Sequence, residues 1–242
     1  MLNFIKSRSI PAFVNHIEYY LIYGLLMLSI FSSGCRTSVF TDNIKEGIIQ
    51  YNINYTNNSG RNFPVQLLPK TMELRFNKHF VSFEIEDRVG LFSIRNINDL
   101  LNKKHLTLIK VFDKKYAYKG ELNEAPLFFS NSSLIITPVK DTMRLIGLLC
   151  QKANVSIANS TKTFYILYYS NIGFHNPNTN TPYEKIDGLL LDFIIQLKNI
   201  DMRLVAKNIE GKEMSDSEFA IPGGYKFISK SKMEEIITTL LP

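Results

Sequence analysis

Apolar and polar positions alternate along most of the chain. Ile49, Tyr51, Ile53 and Tyr55 alternate with Gln50, Asn52 and Asn54. Met72, Leu74 and Phe76 alternate with Glu73 and Arg75, and Val81, Phe83 and Ile85 with Ser82, Glu84 and Glu86. Leu189, Leu191, Phe193, Ile195 and Leu197 share one side of a later run, and Met202, Leu204 and Ala206 alternate with Arg203, Val205 and Lys207. Successive side chains leave a strand on opposite faces, so period two predicts half-buried strands. Residues 164–169 are apolar throughout and predict a central strand covered on both faces.

Turn formers at 57–60, 113–115, 159–160 and 210–212 separate the runs. Strands joined by short polar turns predict an antiparallel meander, here of about nine to eleven strands. A sheet of that size curls. The predicted fold class is therefore mainly β: a curved antiparallel sheet forming an unclosed barrel, with one to three covering helices. Ser231-Lys232-Met233-Glu234 has capping-box spacing, and Met233, Ile236, Ile237, Leu240 and Leu241 follow at helical intervals. Shorter helices are predicted over 98–104 and 121–129, the second limited by Pro126. Residues 175–187 (HNPNTNTPYEKID) predict an ordered loop, the natural place for a site.

The N-terminus has a different pattern. Lys6 and Arg8 precede an apolar run over 19–31, which ends in Ser32-Ser33-Gly34-Cys35. A basic start, a short apolar stretch and small residues at a cleavage point make a secretory signal. A membrane-spanning helix needs about 20 apolar residues, so this run is short for a span. Small residues directly before a cysteine resemble the lipobox of bacterial lipoproteins. The resemblance implies lipid transfer to the Cys35 thiol and cleavage between Gly34 and Cys35. The alternative is an ordinary cysteine at the end of an uncleaved anchor. The chain then divides into a signal peptide (1–34), a short tether (35–43) and a single curved-sheet domain (44–242). Arg36 follows Cys35, with no acidic residue at that position. In the lipoprotein pattern this implies the periplasmic face of the outer membrane.

Composition narrows the classes further. The 242 residues are 45% hydrophobic and 21% charged, which excludes disorder and a polytopic membrane protein. Two cysteines exclude a disulfide scaffold and a multi-cysteine zinc site. With Cys35 lipidated, Cys150 is left alone in an apolar setting, where a buried inert thiol is expected. The net charge of +6 is spread among strand-like residues, without the dense basic stripe of a nucleic-acid face. No nucleic-acid partner is therefore expected.

The second half is similar to a known group. Arg144-Leu145-Ile146-Gly147-Leu148-Leu149-Cys150-Gln151-Lys152-Ala153, then Tyr165 to Ile172 (YILYYSNI), then Ile186-Asp187-Gly188-Leu189-Leu190-Leu191-Asp192-Phe193 follow one another. Glu46-Gly47-Ile48-Ile49-Gln50-Tyr51 opens the domain. This order resembles the GLPGLI family and related periplasmic families. Those in turn resemble lipoprotein carriers of the LolA and LolB type. The resemblance implies a curved open sheet that shelters acyl chains in an apolar hollow. It brings no catalytic residues.

Motif chemistry is sparse. There is no HExxH, no GxSxG and no phosphate-cradling glycine loop, and no cofactor is expected. The four histidines are scattered, at 16, 79, 105 and 175, so no metal site is expected. His175 lies near Glu184, Asp187 and Asp192 in sequence, the one place for acid–base work. Leu67, Leu68, Phe128 and Phe129 lie outside clear strands and are candidates for the mouth or lining of a ligand hollow. Three functions are thus expected. The first is a non-enzymatic, lipid-anchored envelope protein that binds an amphiphile or acylated partner in its concavity. The second is an accessory lipoprotein of an envelope complex with a solid core. The third is a hydrolase built on His175.

Overall fold

A computed structural model describes residues 43–56, 68–124, 127, 129, 133–158, 160–197 and 200–240. They form one twelve-stranded sheet that does not close. The strands are β1 (Gly47–Tyr55), β2 (Thr71–Phe76), β3 (Phe80–Glu86), β4 (Phe92–Asp99), β5 (Lys104–Val111) and β6 (Lys114–Glu121). They continue as β7 (Leu134–Leu145), β8 (Leu148–Ile157), β9 (Thr163–Tyr169), β10 (Leu189–Leu197), β11 (Ile200–Gly211) and β12 (Lys226–Phe227). The spatial order is β12-β6-β5-β4-β3-β2-β1-β11-β10-β9-β8-β7. β1 therefore joins two meanders, one running outward through β2 to β6 and one returning through β7 to β11. Every ladder is antiparallel except the short β12–β6 pair.

Alternation assigns the faces. On the inner face Ile49 and Tyr51 of β1 stand beside Leu74 and Met72, which stand beside Phe83 and Ile85. On β10 and β11 the same face carries Phe193 and Leu204. All but Leu74 and Phe83 are buried, and those two pack against the same main core. A second core lies on the outer face of β4 to β6, where Ile97, Leu108 and Ala117 meet Met214 and Phe219.

That second core exists because the chain wraps the sheet. After β11, residues 212–225 cross the outer face. A 3-10 turn (Asp216–Phe219) stacks Phe219 on Phe80 at 5.1 Å. Arg95, itself buried, donates to the Glu218 carbonyl at 2.7 Å and to Ser82 Oγ at 3.1 Å. Asn77 Nδ2 donates to the Met214 carbonyl and to Asp216, and Met214 N donates to Glu46. The strap then adds β12 to the far edge beside β6. A single α-helix among the described residues, α1 (Lys230–Leu240), returns to the inner face and buries Met233 and Ile237.

Several expectations are corrected. The helix predicted over 98–104 is the end of β4, a turn and the start of β5. Asn98 and His105 are cross-strand partners there, and both are buried. The helix predicted from 121 is the end of β6 followed by a turn over 122–124, and part of that stretch lies outside the described residues. Among the described residues the strands number twelve. The helix cap is Ser229, whose Oγ accepts from Lys232 N and whose carbonyl accepts from Met233 N, two residues before the predicted Ser231. The turn placed at 113–115 is Phe112–Asp113, because Lys114 and Lys115 already pair with β5.

Candidate functional site

The inner face is where a ligand hollow was expected, and residues 173–188 lie across it. Their polar side chains anchor the loop by closing carbonyls that no strand reaches. Asn178 Nδ2 donates to the Ile186 and Gly188 carbonyls at 2.7 and 2.9 Å. Asn180 Nδ2 donates to the Leu122 and Glu124 carbonyls, both at 2.8 Å, which ties the loop to the turn after β6. From the sheet, Asn98 Nδ2 donates to the Thr179 carbonyl at 2.7 Å. Asn176 and Asn180 take positive φ (58° and 61°), a region that asparagine tolerates better than most residues.

The loop's apolar residues fill the space these bonds define. Phe174, Tyr183 and Ile186 are buried in the main core. Tyr183 meets Phe193 edge-on at 5.8 Å, and Tyr51 meets the same Phe193 ring at 5.8 Å and 90°. The Tyr183 hydroxyl donates to the Ile194 carbonyl, and the Tyr51 hydroxyl to the Leu190 carbonyl at 2.7 Å. Burial pushes both phenols above their ordinary value, so they remain neutral donors. Phe174 stacks on Phe76 at 5.8 Å. Among the described residues this face holds a cavity of about 50 Å³, lined by Tyr51, Leu74, Phe83, Asn98, Phe129 and Phe193 among others.

Of the residues proposed for the mouth, Phe129 lines this cavity and packs on Phe83 at 5.9 Å. Leu68 is half-buried just before β2. Leu67 and Phe128 lie outside the described residues, as do Gly34 and Cys35. Sequence reasoning missed Tyr183, Asn178 and Asn180 as the loop's working parts, and Asn98 of β4 as their partner on the sheet. The recurrence of Asn at 176, 178 and 180, alternating with Pro177, Thr179 and Thr181, was the available signal.

The acid–base cluster is only partly assembled. His175 Nδ1 lies 2.7 Å from Asp187 Oδ2, and both side chains are mostly exposed. Burial raises the Asp187 carboxyl, but hydrogen bonds from His175 and from Asn176 N outweigh it and hold the group below its ordinary value. Asp192 is buried and belongs to Arg203, which donates from Nε at 2.8 Å and from Nη2 at 2.6 Å. That pair lies on the opposite face, beside Tyr165, and takes no part with His175. Among the described residues no three His, Cys, Asp or Glu side chains are grouped to hold a metal ion. Cys150 is free and buried, and burial pushes its thiol up to about 11, so it is inert at neutral pH.

A second polar cluster holds the loop's far end. Glu124 accepts from Glu121 N at 2.8 Å, from the Tyr118 hydroxyl at 2.7 Å and from Lys230 Nζ at 3.1 Å. These bonds, the backbone one foremost, hold its carboxyl down at about 2 against an ordinary 4.5. A carboxyl lowered by folding contributes stability above pH 4.5, which is lost as pH falls through that range. Glu124→Gln is expected to cost about 1 kcal/mol at pH 7. It is also expected to flatten the fall in melting temperature between pH 4.5 and 2, as read by thermal unfolding across pH.

No family model matches the chain, and no curated protein matches it.

Proposed function

We propose that this chain is a lipid-anchored, non-enzymatic envelope protein that acts through its outer surface, as an accessory of an envelope assembly. The anchor is the Cys35 thiol, and the site is the periplasmic face of the outer membrane. The observation that carries the reading is the filled inner face. Pockets for small ligands measure about 300–1,000 Å³, whereas the cavity that the described residues line on the inner face measures about 50 Å³. Asn98 and Tyr183 bond the filling loop to the sheet, Asn180 bonds it to the turn after β6 and Asn178 braces it internally, which suits a structural plug better than a gate.

The carrier reading keeps one observation in its favour. The small cavity is largely apolar, aromatic-lined and placed where the resemblance to LolA and LolB implies a hollow. In that reading residues 173–188 swing away to admit an acyl chain.

A fluorescent fatty acid separates the two. The accessory reading expects no saturable enhancement with the full chain at micromolar probe. Saturable binding that non-fluorescent palmitate displaces would overturn it. Intact mass of the envelope-purified protein tests the anchor separately: a diacylglyceryl adduct on a chain beginning at Cys35 is expected, and an unmodified Cys35 contradicts it.

A further inference from the structure

Three exposed apolar side chains lie at the end of the sheet where β3 meets β4 and β5 meets β6. Val89 is 73% exposed, Leu91 48% and Phe112 65%. The two turns that carry them are fastened together, because Phe112 N donates to the Leu91 carbonyl at 2.6 Å. Asp87 Oδ1 accepts from Phe92 N at 2.8 Å and closes the first turn.

Phe112 is the informative residue. It is the first residue of a two-residue hairpin turn and has φ 54°, in the left-handed region. Glycine, asparagine or aspartate relieves the strain at such a position, whereas a bulky aromatic does not. Phe112 belongs to neither core, so its ring gains nothing inside the fold. Strain and exposure together at one side chain point to a contact made outside the chain.

We infer that the Val89–Leu91–Phe112 tip inserts into the interface of a lipid bilayer. Three apolar side chains that project from turn tips enter an acyl boundary in any register, without a matching pocket. The surrounding charges suit a headgroup layer of mixed sign. Arg88 and Lys114 are exposed and Lys110 and Lys115 half-buried, while Glu86 and Asp113 are exposed and Asp87 is half-buried. These nearly balance, so insertion is driven by apolar burial and changes little with salt. The inference names the partner of the outer surface and rests on the reading that this surface is the working part.

The chain has no tryptophan, so one introduced residue is a clean reporter. Phe112→Trp, Val89→Trp and Leu101→Trp are compared in the full chain reconstituted with phosphatidylcholine vesicles brominated on the acyl chains. Leu101 is 68% exposed in the β4–β5 turn, at the opposite end of the sheet, and serves as the control. The expected result is at least twofold quenching of tryptophan at 112 and 89, with none at 101, unchanged between 50 and 500 mM salt. Val89→Trp carries the test if the strained Phe112 turn rejects substitution. Absence of quenching at 112 and 89, or quenching at 101 equal to theirs, overturns the inference. Fatty-acid uptake and the Cys35 mass are independent readouts, so failure here is distinguishable from failure of the accessory or anchor reading.

Discussion

Gly47→Ala is expected to destabilise the fold by about 3 kcal/mol, measured by denaturant unfolding. Gly47 opens β1 with φ 154°, opposite Gly211 on β11 and Phe76 on β2. A Cβ there would lie 2.2 Å from the Glu210 carbonyl oxygen. That oxygen belongs to the backbone of the neighbouring strand, so relief requires β1 and β11 to part. These two strands join the two meanders, and a local separation there weakens the whole sheet. Gly223→Ala is the control. Nothing lies within 4 Å of a Cβ at that position and its φ is not positive, so the change stays within about 0.5–1 kcal/mol.

Removing the Tyr183 ring is expected to cost about 3–5 kcal/mol through lost burial and the cavity left behind. The ring is 1% exposed, packs on Phe193 and donates to the Ile194 carbonyl. Its removal also opens the existing cavity beside it. Tyr183→Ala should therefore acquire weak binding of a fluorescent fatty acid that the unaltered chain lacks. Tyr183→Phe keeps the packing and loses one hydrogen bond, for about 1 kcal/mol and no gain of binding. Equal stability of the alanine variant and the unaltered chain would mean that the loop does not fill the inner face in solution.

The sheet was legible wherever one face is wet. β1, β2, β3 and β11 alternate cleanly because their polar side chains meet solvent or the strap's polar groups. β4 was not legible for the opposite reason. Ser93, Arg95, Asn96 and Asn98 are all buried, two on each face, so polar and apolar positions no longer separate inside from outside. The strap over 212–225 has no period because it is held by single contacts, Met214, Phe219 and the partners of Asn77 and Arg95, and not by a ladder. The loop was legible as a loop but not as a plug. Its asparagines reach carbonyls as far as 58 residues away in sequence, and no local pattern records such a distance. His175 and Asp187 meet as their sequence proximity suggests, whereas Asp192 was lost to Arg203 because its strand turns it to the other face.

In the proposed function the inner face is filled and the outer surface does the work. Native mass spectrometry of the full chain, released gently from the envelope of its own host, tests it most directly. A single mass carrying only the covalent lipid on Cys35 is expected, with no further adduct released by collisional activation. A non-covalent lipid or acyl species that co-purifies in stoichiometric amount and dissociates on activation would contradict it and restore the carrier reading.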